Sequence, residues 1–223
     1  MALIEKAKGR RENQSPSGYT RLFGIPELGQ LMSRIQGTVI SSGSELEKLI
    51  YERATKIPDL EQFLVKTLHT QEAGIWVASK QQVKKVMQSQ YEPDFVAFDL
   101  IARKCYVIEV KDGDTFDTKK AGGEYSTLHS FTNEISNRLA FSFQVYICCF
   151  NAGTKEEIHV GLKQKFPISE ILTGKELCIL FGIDFNEIIK VRTADQQNNL
   201  DYFIKELLKI GNIRNMVVKR LKP

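Results

Sequence analysis

"EPDFVAFDLIARKCYVIEVKDGD", residues 92 to 114, decides how this chain is read. Two short runs rich in aromatic and β-branched residues, 94–100 and 104–111, flank a polar break and read as the strands of a hairpin. Glu109 and Lys111 interrupt the second run two residues apart, so both side chains leave the same face of the strand. With the turn centred near Ala102 and Arg103, Asp94 is expected across from Lys111, with Glu109 as its diagonal neighbour on that face. Two acids and a lysine thus converge at one end of a sheet, where the strand runs into a loop of acids, lysines and glycines, "DGDTFDTKKAGG".

Carboxylates this close repel and raise one another's pKa unless a cation lies between them. A hard divalent ion removes that penalty when it is held by two acids, a backbone carbonyl (here that of Val110) and water. Such an ion lowers the pKa of a bound water and stabilises charge on a phosphate. Lys111, beside it, can orient or deprotonate the attacking water, or neutralise the phosphate.

The surroundings supply the elements of an α/β protein. Residues 1–43 are polar, basic and glycine-rich, and read as an N-terminal arm carrying Lys6, Lys8, Arg10 and Arg11, with a short helix in "PELGQLMSRI". A firmer helix is expected from Ser44, with Glu47 three residues on as the partner in a capping box and Leu46, Leu49 and Ile50 as its apolar stripe. "GIWVAS" (74–79) reads as a strand and "KQQVKKVMQS" as a short basic helix. After the hairpin come a loop, a helix from about Ser126 to Phe141, and "FQVYICCF" (143–150), apolar throughout like a strand covered on both faces. "EIHVGLK" reads as an edge strand, and the remainder to residue 223 as mostly helical. The expected division is an arm at 1–43, a core at 44–165 and a C-terminal helical part of the same domain at 166–223.

Pro93-Asp94 followed by Glu109-x-Lys111 in an apolar strand resembles the PD-(D/E)XK nuclease superfamily, and within it the type II restriction endonucleases. The resemblance covers about Ser44 to Phe150, in the order α-β-β-β-α-β. It implies a restriction-endonuclease-like core, with a mixed central β-sheet flanked by helices. It also implies Mg²⁺-dependent hydrolysis of phosphodiesters at a short specific sequence in double-stranded DNA, leaving 5′-phosphate and 3′-hydroxyl ends. Asp94, Glu109 and the Val110 carbonyl would then hold the metal and Lys111 would manage the water. An acid of the first helix, Glu47 in preference to Glu45, would touch the metal's water shell unless it only caps the helix. A homodimer suits palindromic DNA. Two other readings stay open: a repair or structure-specific nuclease of the same fold, and a DNA-binding module that does not cleave.

The remaining features qualify this reading. Lys119 and Lys120 are candidates for phosphate contact, as are Lys8, Arg10 and Arg11, and a net charge of +4 permits a nucleic-acid partner without demanding one. Asp112, Asp114 and Asp117 read as turn residues, and Gly122 and Gly123 as a turn or a close approach to DNA. His69, His129 and His159 are scattered singly, which does not suit a histidine-metal nuclease, and Trp76 reads as core. Cys105, Cys148, Cys149 and Cys178 form no CxxC pair and read as buried, reduced thiols. No apolar run is long enough to span a membrane and no signal-peptide pattern follows the N-terminus, so a cytoplasmic protein is expected.

Overall fold

The structure, a computed structural model, describes residues 1–9, 17–66 and 72–221. Its centre is a five-stranded mixed sheet in the order β1 (Ile75–Ser79), β2 (Phe95–Asp99), β3 (Lys104–Lys111), β4 (Ser142–Cys149) and β5 (Ile171–Thr173). β1, β2 and β3 pair antiparallel, whereas β3, β4 and β5 pair parallel. The helices, in chain order, are α1 (Gly18–Phe23), α2 (Pro26–Arg53), α3 (Leu60–Lys66), α4 (Lys80–Met87), α5 (Thr118–Ile135), α6 (Lys155–Gly161), α7 (Gly174–Phe181), α8 (Phe185–Lys209) and α9 (Gly211–Leu221). Glu47–Phe185 form one compact unit, which holds the whole sheet, and Met1–Leu46 with Asn186–Pro223 form another. These units are cut differently from the expected segments.

The period-2 pattern of the strands sets the two faces of the sheet. Val96, Phe98, Cys105, Val107, Val145, Ile147 and Ile171 bury one face against Leu60 of α3, Val83 and Met87 of α4, Leu128, Phe131 and Ile135 of α5, and Ile158 of α6. On the other face Phe95 stacks on Tyr51 of α2 and meets Phe181 of α7 edge-on. Parallel β3 and β4 require a crossover, and α5 supplies it.

Several local expectations change. Ser44 starts no helix: it lies inside α2, which runs unbroken for 28 residues from Pro26, a residue suited to the first helical turn. Gly37, Gly43 and the serines between them weaken a helix without ending it. Residues 1–9 are not a loose arm. Ile4 is buried, its N–H donates to Asn199 Oδ1 (2.8 Å), and Asn199 Nδ2 donates to the Ala2 carbonyl (2.8 Å). "EIHVGLK" forms the greater part of α6 and its C-terminal cap, not an edge strand. Thr154 and Glu157 form a capping box at its start, and Ile158 and Leu162, four apart, are both fully buried. α5 begins at Thr118, not near Ser126, because Asp117 accepts the Lys120 N–H as its N-cap. The loop after β3 therefore shrinks to Asp112–Asp117, and Gly122 and Gly123 sit in a helix. β5, only three residues long, interrupts a stretch expected to be helical.

That short loop is pinned at both ends. Asn151 Nδ2 donates to the Asp112 carbonyl and to Asp112 Oδ1, both at 2.7 Å. The Phe116 N–H donates to the Gly161 carbonyl (3.1 Å). A Cβ at Gly161 would stand 1.9 Å from the Asp114 carbonyl oxygen, so α6 can approach the loop only with glycine there. Gly161→Ala is expected to destabilise the protein by about 1–3 kcal/mol, read as a lower urea midpoint with an unchanged slope.

Candidate active site

The register of the sheet assembles the charged cluster. Phe95 faces Ile108, so the preceding Asp94 comes level with Glu109, not with Lys111 as a turn at Ala102 and Arg103 would require; the turn lies one residue earlier. Ser79 faces Phe95, so Lys80, the first residue of α4, comes level with Asp94. Lys80 and Asp94, each one residue beyond the paired ends of β1 and β2, thus come abreast of Glu109 on β3. Asp94, Glu109 and Lys111 share the face that packs on α5.

Asp94 is 4% exposed and both its oxygens are engaged. Oδ2 accepts the Val110 N–H (2.9 Å), and Oδ1 accepts from Lys80 Nζ (3.2 Å). Lys111 Nζ bridges Glu109 Oε1 (2.6 Å) and Glu124 Oε1 of α5 (2.8 Å). Burial, then Asp94, pushes the Glu109 carboxyl up to about 7, against the pull of Lys111. Burial, then Asp94, likewise raises Glu47 to about 7. Burial pulls the Lys111 ammonium down, but Glu109 and Glu124 outweigh it and hold it above the usual lysine range. The same contest raises Lys80, with Asp94, Glu109 and Glu47 outweighing burial.

The expected site residues divide. Asp94, Glu109, Val110 and Lys111 come together, and Glu47 of α2 lies within electrostatic reach of Asp94, Lys80 and Lys111. Glu45 instead pairs with the Met1 ammonium. Lys119 and Lys120 are exposed on the first turn of α5, with Lys120 Nζ 5.4 Å from the Phe116 ring centre. Lys8 is exposed, and Arg10 and Arg11 lie outside the described residues, as does His69. Asp112 anchors Asn151, Asp117 caps α5, and Thr115 donates to Asp114. His129 meets Glu170 (3.0 Å) beside the Tyr125 ring, and His159 meets the Phe166 carbonyl (2.8 Å). Trp76 packs partly buried against Phe63. All four cysteines are buried and unbridged, and burial raises their thiols.

Sequence reasoning misses Lys80 and Glu124. Glu124 falls in a stretch that reads as loop, although Asp117, placed to cap a helix, is a signal that could have found it. Lys80 belongs to no motif, and only the β1–β2 register brings it to Asp94.

The donor set suits a hard divalent cation, with Asp94 and Glu109 level with each other and the Glu109 and Glu47 carboxyls pushed towards neutrality by burial and by Asp94. Among the described residues no three metal-ligating side chains stand close enough to hold an ion as they are. Lys80 and Lys111 instead occupy one oxygen each of Asp94 and Glu109.

Compared with known proteins, the chain is 41% identical over 227 positions to the type II restriction enzyme HhaII of Haemophilus parahaemolyticus, covering 98% of this chain and 99% of that one. The chain belongs to the type II restriction enzymes. A restriction enzyme is a site-specific endodeoxyribonuclease with DNA as its substrate, so the relative favours cleavage over the non-cleaving reading. No family model and no solved structure matches this restriction enzyme. Among its described residues no helix is long and apolar enough to cross a membrane.

The raised Glu109 carboxyl sets a pH dependence. The folded protein holds this proton up to about pH 7, whereas the unfolded chain releases it near the ordinary value of 4.5, so this contribution to stability is lost as pH rises through that window. Glu109→Gln removes the titration. Between pH 5 and pH 8, without divalent ions, urea unfolding should shift in favour of the variant relative to wild type by on the order of 1–3 kcal/mol.

Proposed function

We propose that this restriction enzyme cuts double-stranded DNA at a short specific sequence by Mg²⁺-dependent hydrolysis on a PD-(D/E)XK core, leaving 5′-phosphate ends. The observation that carries the reading is the convergence of Asp94, Glu109 and Lys111 at one end of the sheet, with the two acids level with each other. Asp94, Glu109 and the Val110 carbonyl would hold Mg²⁺, with Glu47 at its water shell. The ion, when bound, activates water and offsets charge on the phosphate. Asp94, buried and held by the Val110 N–H, fixes one ligand in place. Lys111, held between Glu109 and Glu124, keeps its proton. It therefore serves as a fixed cation and donor that orients the attacking water or the phosphate, and not as the base. Lys119 and Lys120, exposed where the chain leaves the cluster, suit binding to the DNA backbone, as do Lys8, Arg10 and Arg11. Duplex DNA has two antiparallel strands to cut and the described residues of each chain form a single such cluster, which suits a homodimer, acting in the cytoplasm.

Incubation of plasmid DNA with the protein and Mg²⁺ should give a few discrete bands with identical ends, and excess EDTA should abolish them. Asp94→Ala, Glu109→Ala and Lys111→Ala should each lower the cleavage rate by orders of magnitude with an unchanged circular dichroism spectrum. A smear, or cleavage in EDTA, counts against the reading. Replacing Lys119 and Lys120 with alanine should reduce the slope of log affinity against log salt by about 0.9 for each phosphate that either lysine neutralises.

A further inference from the structure

We propose that Lys80 is a built-in counter-cation of the acidic cluster, which holds Asp94 until a divalent ion arrives and then turns to the DNA phosphate. The inference rests on the metal-dependent reading above.

Lys80 stands level with Asp94 and Glu109, and its Nζ occupies Asp94 Oδ1 at 3.2 Å. The Val110 N–H already takes one lone pair of Oδ2, so an ion on Asp94 competes with the ammonium for the carboxylate. Two cations on one carboxylate repel, so binding of the ion weakens the hold of Lys80. The two lysines of the cluster differ in how firmly they are held. Lys111 is 20% exposed and clamped by two carboxylates, whereas Lys80 is 42% exposed and hydrogen-bonded to one. The backbone of Lys80 is nevertheless fixed, because Ser79 and Gln82 form a capping box around the first turn of α4. A long side chain on a fixed stem can swing without disturbing the helix.

The charge balance points the same way. Glu47, Asp94, Glu109 and Glu124, when ionised, oppose the ammonium groups of Lys80 and Lys111, leaving a formal surplus of two negative charges that one divalent ion cancels. Once that ion sits on Asp94, Lys80 is a cation no longer needed by the carboxylates, beside the place where DNA brings its own negative charge.

The test is Mn²⁺ binding to the full-length, DNA-free protein by titration calorimetry. Lys80→Met should bind Mn²⁺ about three- to tenfold more tightly than wild type, as expected from removing one nearby unit charge at a partly exposed site. Lys80→Arg should bind it as wild type does. With Mn²⁺ saturating, Lys80→Met should cut plasmid more slowly than wild type, because the phosphate has lost its cation. A passive structural lysine would not tighten metal binding and slow cleavage together. Lys80→Gln repeats the comparison if the methionine variant folds poorly. Mn²⁺ binding that Asp94→Ala abolishes but Lys80→Met leaves unchanged or weakens overturns the role of Lys80 alone. No Mn²⁺ binding that depends on Asp94 overturns the metal reading and this inference with it.

Discussion

The pairing of β2 with β3 is the constraint on which the site depends. Phe95 opposite Ile108 is fixed by burial, since both are almost wholly enclosed and a slip of one residue would turn every strand residue to the other face. Asp94 and Glu109 are carried along by that register. Their closeness is therefore imposed by the apolar pairs beside them, against their own repulsion. The energy of the core holds two like charges where water is scarce, and the rest of the cluster answers that cost. Lys80 and Lys111 each take an oxygen, the Val110 N–H takes another, and Glu109 and Glu47 are pushed towards neutrality.

The same constraint explains why Lys111 differs from an isolated strand lysine. Burial alone would make it a readier base. Glu109, on its own strand, and Glu124, on the crossover helix, reverse that tendency. Neither acid is adjacent to it in sequence. The protonation state of Lys111 is thus set by Glu109 and by the way α5 packs Glu124 against it, and α5 is in turn positioned by the Asp117 cap and the pinned loop before it.

What is legible in the sequence follows from period and chemistry. The hairpin strands and the buried β4 announce themselves by alternation and by continuous apolar character. Asp94, Glu109 and Lys111 stand out as charges interrupting such runs. What is illegible depends on pairing and on competition between weak local signals. Gly122 and Gly123 look like a turn, but an aspartate cap and the apolar stripe of Leu128, Phe131 and Ile135 outweigh them. Ser44 and Glu47 carry a capping pattern, yet a helix already running from Pro26 has no need of a start there. "EIHVGLK" alternates well enough for a strand, but Ile158 and Leu162 find the core at helical spacing. Lys80 is hidden because its partner lies fourteen residues away, across a register that composition does not encode.

The burial of every cysteine has a practical side. Cys105, Cys148, Cys149 and Cys178 are enclosed, and their thiols are held well away from the reactive thiolate form. The folded protein is in effect blank to maleimides. A cysteine introduced at an exposed place on α5, beside Lys119, would then be the one handle that such a reagent finds, and a fluorophore or cross-linker placed there would report from the helix that leads out of the acidic cluster.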